Sequence, residues 1–424
     1  MSNQKKQWGA IIVMIALFAM IAFVTNLCNP MAKIIKQQGE VSTLLANIGV
    51  YGNFIAYLVM GIPAGMLISK YGYKKTALIG LVVGAVGIII QAISGMFNAQ
   101  ENLGLVFSIY LTGAFISGLC MCILNCVVNP MLNILGGGGK SGNQLIQIGG
   151  VFNSAAAVAC YILMGKLISD MSQAKISDAT PALMIALAIF VVAFIIILRT
   201  KIQEPKTEKV DLGMVKKALG YRHFALGALA IFLYMGIEVG VPNFVGFYLT
   251  EEFKLQENIV GMIVAVYWFM MLIGRFVGAS IGNKVSSRAM ITTVSIATIV
   301  LVVFGMFAPT DVLVSFPGVD WGKLTIIWEE IPIGIFSFLL VGLCTSVMWG
   351  AIFNMAVEGL GKYTSIASGI FMTMVFGCAV MQALQASVAD ATNYITSFWI
   401  VVGCAAYLLF YALVGSRPSK KSVE

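Results

Sequence analysis

The chain carries little charge. Only 10% of its 424 residues are Asp, Glu, Lys or Arg, and 59% are hydrophobic. A soluble domain carries about 25% charged residues, so this composition does not suit a water-exposed surface. The mean hydropathy of +0.94 points to lipid as the solvent. Histidine is almost missing. The single one, His223, argues against a histidine-rich metal site, and its place among Lys216, Lys217 and Arg222 suggests a solvated interfacial role. A disulfide framework is missing too: the 8 cysteines fall mostly within apolar runs, as Cys120, Cys122 and Cys126 do, and read as small buried hydrophobes. No catalytic triad and no metal-ligand spacing occurs, so neither an enzyme, nor a bound metal, nor a cofactor is expected. "NILGGGGKSG" is not a phosphate loop, because Ile134 stands where that motif needs a glycine, five residues before Gly139. It reads instead as a flexible loop.

What is abundant is long apolar runs. Twelve of about the 20 residues needed to span a bilayer cover 8–33, 42–69, 76–96, 103–135, 143–168, 181–199, 223–250, 258–282, 289–308, 332–357, 363–388 and 394–415. The first follows "NQKK" but lacks a small-residue cleavage site, so it is kept as a span rather than a signal peptide. With the N-terminus inside, 19 of the 26 Lys and Arg fall in inner segments and six in outer ones, Lys33 and Lys36 among them. This bias predicts a multi-pass protein of the cytoplasmic (inner) membrane with both termini cytoplasmic. It also accounts for the net charge of +8 without a nucleic-acid partner.

The polar stretch 200–222 separates six spans from six. The predicted units are an N-terminal half, 1–199, a cytoplasmic linker, 200–222, and a C-terminal half, 223–424. The halves echo each other. "GIPAGMLISKYGYKK" joins spans two and three as "GRFVGASIGNKVSSR" joins spans eight and nine, with Gly65 on Gly278. "NPMLNILG" falls on "NMAVEGLG", placing Asn129 on Asn354, Leu135 on Leu360 and Gly136 on Gly361. The longer second spacing fits a long outer loop at 309–331. The expected fold is an all-α polytopic membrane protein: twelve helices in two pseudo-symmetric six-helix halves around a midplane site, a transporter architecture.

Buried amides are the main chemical signal. They include Asn26 and Asn29 in span one, Asn53 in span two, and Asn125 and Asn129 in span four. Gln144, Gln147 and Asn153 follow in span five, Asn243 in span seven, Asn354 in span ten, and Gln382 and Gln385 in span eleven. Each alone can serve as interhelical glue. As a set they suit a neutral polyhydroxyl ligand, because an amide both donates and accepts. Tyr57, Tyr267, Trp268 and Trp349 offer faces for a ring. Pro30 and Pro130 free helix carbonyls deep in spans. Among 18 acids, Glu238 is the one well inside a span, and Arg275 is the one such cation. Intramembrane acids are costly and often functional.

"GMLISKYGYKK" resembles the inner-loop signature of the major facilitator superfamily, with Gly65, Gly72, Lys74 and Lys75 in place and Ser69 where an aspartate is usual. "NQLIQIGGVFNS", "YMGIEVGVPNFVGFYL", "MIVAVYWFMMLIGRFVGAS" and "MWGAIFNMAVEGLGKYTSIASG" extend the likeness over nearly the whole chain. They resemble the fucose–galactose–glucose symporter family, closest to its glucose/galactose branch. The resemblance implies alternating access and cation-coupled uptake of a hexose, with Na⁺ or H⁺ as the coupling ion. Asn29 and Asn125 stand where the fucose branch has an aspartate and a glutamate that titrate, and Gly150 stands where a glutamine is usual. Glu238 matches the span-seven acid of the glucose/galactose branch and is the expected coupling residue. The expected sugar site draws on Asn29, Asn125, Asn129, Gln144, Gln147, Asn153, Glu238, Asn243, Trp268, Trp349, Asn354 and Gln382. Arg275 and Lys74 are expected to act in gating. An uncoupled sugar facilitator and a drug exporter of the same fold remain alternatives, and a monomer embedded in lipid is the expected state.

Overall fold

The computed structural model describes residues 8–39, 42–97, 102–136, 139–167, 175–200, 212–281, 285–320, 325–360 and 363–417. Among them, eleven helices are long and apolar enough to cross a membrane. Helices dominate because lipid offers backbone groups no hydrogen-bond partner, so each span must satisfy its own.

Span one is α1 (Trp8–Gly39). A short helix α2 (Thr43–Ala46) leads into α3 (Ile48–Ser94), which accounts for the difference between eleven helices and twelve spans. At 47 residues α3 is too long for one crossing of a core about 30 Å thick. It turns back at Gly72, whose φ of 80° and ψ of 173° are not helical, so α3 carries spans two and three. Spans four, five and six are α4 (Leu103–Leu135), α5 (Gly139–Leu167) and α6 (Thr180–Arg199). Because α5 starts at Gly139, the loop between spans four and five is shorter than the sequence suggests. Most of the polar linker, 201–211, lies outside the described residues, but its end forms a short helix, α7 (Leu212–Leu219). Spans seven, eight and nine are α8 (Arg222–Glu251), α9 (Glu257–Ile281) and α10 (Ser287–Phe307).

The loop at 309–331, expected on the outer side, is not irregular. It holds an antiparallel hairpin, β1 (Leu313–Asp320) and β2 (Thr325–Pro332), with Pro317 opposite Trp328 and Phe316 opposite Glu329. β-branched and aromatic residues in both segments favour strands, a signal that the all-helical reading passes over. Span ten is α11 (Ile333–Val357). Span eleven is interrupted at 375–376, giving α12 (Thr364–Met374) and α13 (Gly377–Ala391), and span twelve is α14 (Tyr394–Ser397) followed by α15 (Trp399–Phe410).

Small residues set the packing distances. A Cβ on Gly113 would stand 2.7 Å from the Gln91 backbone nitrogen, and one on Gly87 2.6 Å from that of Ser117, so spans three and four meet backbone to backbone. Gln91 Nε2 donates to Ser117 Oγ across the same seam at 2.8 Å. The first six spans meet the last six mainly along two seams, α5 against α9 and α3 against α12. Counting spans, these are five–eight and two–eleven. Adding six to each number exchanges them, as a two-fold relation requires.

Two expectations fail. His223 is 2% exposed, and its Nε2 lies 2.8 Å from the Glu358 carbonyl. It is a buried helix-end contact and not a solvated interfacial residue. Lys33, expected in an outer loop, is 4% exposed and pairs at 2.7 Å with Glu257, itself buried. α1 runs six residues beyond its expected end at 33, so Lys33 lies within the helix and not at its end.

The backbone at Gly72 is open only to glycine without strain. Gly72→Ala is expected to cost about 1–3 kcal/mol, read as a lower thermal unfolding temperature in detergent. An unchanged transition would show that the turn relaxes freely.

Candidate functional site

Span seven is the most enclosed helix around the seams. Between Tyr234 and Thr250 every residue of α8 is buried except Glu238. The acid is therefore the most accessible residue of this stretch. Pro242 lies four residues on and has no N–H to give to the Glu238 carbonyl. A carboxylate and a released carbonyl thus stand on the same turn. Sequence reasoning that dwells on Pro30 and Pro130 misses Pro242, although an i, i+4 acid–proline pair within an apolar run is a readable sign.

Among the polar groups near the Glu238 carboxylate are the Tyr234 hydroxyl, one turn earlier, the Arg275 guanidinium and the Tyr267 hydroxyl. Glu238 makes no direct ion pair among the described residues; the pairs found there are Lys33–Glu257 and Lys36–Glu251. Tyr234 leads to the aromatics. Its ring lies 6.2 Å from that of Trp349, and its hydroxyl is 3.4 Å from the Thr345 carbonyl. The Thr345 hydroxyl meets that of Tyr267 at 3.1 Å. Tyr267 packs edge-on against Trp268 at 5.4 Å, and Trp268 stacks with Tyr161 at 6.5 Å. Glu238, Trp349 and Trp268 therefore belong to one connected cluster. Trp268 is buried, yet its Nε1 donates to no partner among the described residues. Buried donors are seldom left so without a ligand or water to serve.

A second cluster crosses between the first and last six spans. Asn243 Nδ2 donates to Asn47 Oδ1 at 2.8 Å and to Gln382 Oε1 at 2.7 Å. Gln382 in turn donates to Cys378 Sγ at 2.9 Å, and Asn47 to the Thr43 carbonyl at 2.8 Å. Asn243 Oδ1 accepts from nothing among the described residues. Asn47 is absent from the expected set; an amide at the start of an apolar run is its only sign.

A third cluster involves spans one, five and eight. Arg275 donates to the Gly150 carbonyl and lies 3.5 Å from Asn153 Oδ1, while Asn153 Nδ2 donates to the Phe18 carbonyl at 2.9 Å. A Cβ on Gly150 would stand 3.1 Å from Arg275 Nη1. The absent side chain at 150 is what admits the guanidinium. In span four, Asn125 donates to the Tyr57 hydroxyl at 3.0 Å, and Asn129 to its own helix at the Asn125 carbonyl, 3.2 Å away.

Other expected residues stand apart. Asn354 is exposed near the end of α11. Lys74 holds the end of span six, donating to the Leu198 and Thr200 carbonyls at 3.0 and 2.8 Å. The side chains of Asn29, Gln144 and Gln147 lie outside the described residues. No group of three or more His, Cys, Asp or Glu able to hold a metal ion occurs among the described residues.

Residues 11–383 match the Major Facilitator Superfamily. A glucose/galactose transporter of Brucella abortus biovar 1 (strain 9-941) is 28% identical over 431 residues, covering 98% of this chain and 96% of its own length. An L-fucose-proton symporter of Escherichia coli (strain K12) is 22% identical over 95% of this chain and 92% of its own. The crystal structure of a Major Facilitator Superfamily transporter, FucP, in the outward conformation superposes with a TM-score of 0.69 at 19% identity, over 96% of this chain and 98% of that one.

Removing the guanidinium should loosen the seam between spans five and eight. Arg275→Met is expected to cost about 1.5–3 kcal/mol, the worth of a hydrogen bond to a charged group, seen as earlier thermal unfolding in detergent. A variant as stable as the parent would show that this brace contributes nothing.

Proposed function

The chain belongs to the Major Facilitator Superfamily, and from that premise we propose that it is a secondary active transporter importing a neutral hexose, of the glucose or galactose kind, by alternating access. Its full-length likeness to a glucose/galactose transporter supports the substrate class. The observation that carries the mechanism is Glu238, the most accessible residue in a buried stretch of span seven, connected through Tyr234 to two tryptophans. A carboxylate that accepts from sugar hydroxyls, with an indole face beside it, is sugar-binding chemistry.

In this reading the two six-helix halves rock about the seams, and the site lies where the Glu238 cluster faces the first half. Asn125, Asn129, Asn153, Asn243 and Gln382 supply amide contacts during the cycle. Glu238 is the coupling residue and takes either H⁺ or Na⁺, with the freed Glu238 carbonyl and nearby amides able to complete an oxygen shell for the latter. Asn29 and Asn125 cannot titrate, so coupling falls to this one acid. Arg275 serves an inner gate. The face bearing both termini is cytoplasmic, in keeping with the distribution of lysine and arginine. The protein acts as a monomer in the cytoplasmic membrane and catalyses no chemical conversion.

Two measurements in proteoliposomes test the reading. Glu238→Gln is expected to abolish accumulation of labelled glucose or galactose against a gradient while leaving exchange across the membrane measurable, since exchange needs no net cation movement. Retained accumulation under an imposed Na⁺ or H⁺ gradient would remove Glu238 from coupling; wild-type uptake indifferent to both gradients would make the protein a facilitator. Trp268→Phe keeps an aromatic face but loses the unpartnered Nε1. It is expected to raise the half-saturation concentration by about 2- to 10-fold, the worth of one hydrogen bond. An unchanged value would confine Trp268 to packing.

A further inference from the structure

The polar contacts that cross between the first and last six spans are unevenly placed. Apart from those of Arg275, the ones found among the described residues lie toward the face opposite the termini. Lys33 of α1 pairs with Glu257 at the start of α9 at 2.7 Å, with both side chains about 95% buried. The other carboxylate oxygen of Glu257 accepts from Thr250 Oγ1 at 3.3 Å. Gly246 forms the floor: a Cβ there would stand 2.9 Å from Lys33 Cε and Nζ. Three residues on, Lys36 meets Glu251 at 3.8 Å and donates to the Tyr394 hydroxyl, with its ammonium 5.5 Å from the Phe247 ring. Asp390 of α13 accepts from the backbone N–H groups of Thr43 and Leu44, each at 2.9 Å, and so caps α2 from the opposite half.

We propose that the buried Lys33–Glu257 pair is the latch that closes the mouth opposite the termini, and that its near-balance of energies lets the mouth reopen. This inference rests on the transporter reading above. The pair joins spans one and eight, which must part if that mouth is to open. When closed, the two charges attract strongly but have given up their hydration; when open, both are hydrated and unpaired. For buried ion pairs these terms nearly cancel. A latch of this kind specifies the closed geometry while adding little net stability to it. An apolar contact of equal size would hold the mouth shut, because closing would bury it at no desolvation cost. The lesser contacts of Lys36 and Asp390 are partly exposed and align the helix ends around the pair.

The balance makes single and paired substitutions act in opposite directions. Removing one partner leaves the other charge buried alone, which strongly disfavours closure. Replacing both with apolar residues removes that penalty. The reporter is Val264→Cys, a buried position beside the same Gly246 floor, in the full-length protein in vesicles of known sidedness. A membrane-impermeant maleimide is added at the face opposite the termini, and the protein without the reporter, whose native cysteines are buried, gives the blank. Lys33→Met and Glu257→Leu, each alone, are expected to raise the labelling rate at least about tenfold. The pair Lys33→Met/Glu257→Leu should return it to the parent rate or below and slow net uptake. The exchanged pair Lys33→Glu/Glu257→Lys should also label at about the parent rate. Gly246→Ala, which displaces the ammonium while keeping both charges, should raise labelling and serves if the single variants do not fold. Singles or Gly246→Ala labelling as slowly as the parent, or the apolar pair labelling as quickly as the singles, would overturn the latch. Labelling needs neither sugar nor gradient, so it can fail while the hexose reading stands, and the converse.

Discussion

The structure depends on one constraint: inside lipid a polar group must find its partner within the chain. A helix satisfies its own backbone, which is why the described residues are nearly all helical and the hairpin lies outside the apolar runs. Side chains have no such automatic solution. Gln91 meets Ser117, Asn125 meets Tyr57, and Asn153 meets the Phe18 carbonyl. Each bond ties two helices together and so serves structure first. The places where the rule is incompletely met are then informative. Glu238 is the most accessible residue of a buried stretch, and Trp268 Nε1 and Asn243 Oδ1 have no partner among the described residues. These are the positions at which a polar ligand would complete what the protein leaves open.

The same constraint divides labour between the two kinds of charge in the bundle. Lys33 and Glu257 are fully mutual, with the second carboxylate oxygen occupied by Thr250. Such a pair has little left to offer a substrate and can only hold or release. Glu238 and Arg275 sense each other through space but are not joined. Arg275 instead spends its donors on a backbone carbonyl that it approaches closely beside a residue, 150, that has no side chain. A glutamine there, as the family resemblance would lead one to expect, would need the guanidinium to move. The glycine and the arginine are best understood as one feature.

The seams explain how such contacts can change together. Spans five and eight, and spans two and eleven, form equivalent interfaces under a two-fold relation. In the proposed alternating access, motion about one seam would be coupled to the other by that symmetry. Two rigid six-helix sets can then tilt without repacking their interiors, where glycines hold backbones in direct contact.

Much is legible in the order of the amino acids. Low charge and long apolar runs select a membrane bundle, since no other solvent tolerates them. The echo of Asn129 in Asn354 suggests duplication. Glu238 stands out because one acid in an apolar run has few harmless explanations. Other features are hidden. The two spans within α3 agree with the hydrophobic pattern, but the strands at 313–332 escape it, because a membrane reading treats everything between spans as loop. Lys33 and His223 defeat the pattern for one reason: a polar side chain near a span end need not face water when a partner waits inside the bundle. Asn47 carries no signal strong enough to single it out. What tertiary structure alone decides is which residues meet. Lys33 and Glu257 are 224 positions apart, Asn243 and Asn47 are 196, and Arg275 and Gly150 are 125. Hydrophobic patterning reports how far a residue is from lipid and which way it faces. It has no means of naming the partner on another helix, since that depends on how the helices are arranged around one another.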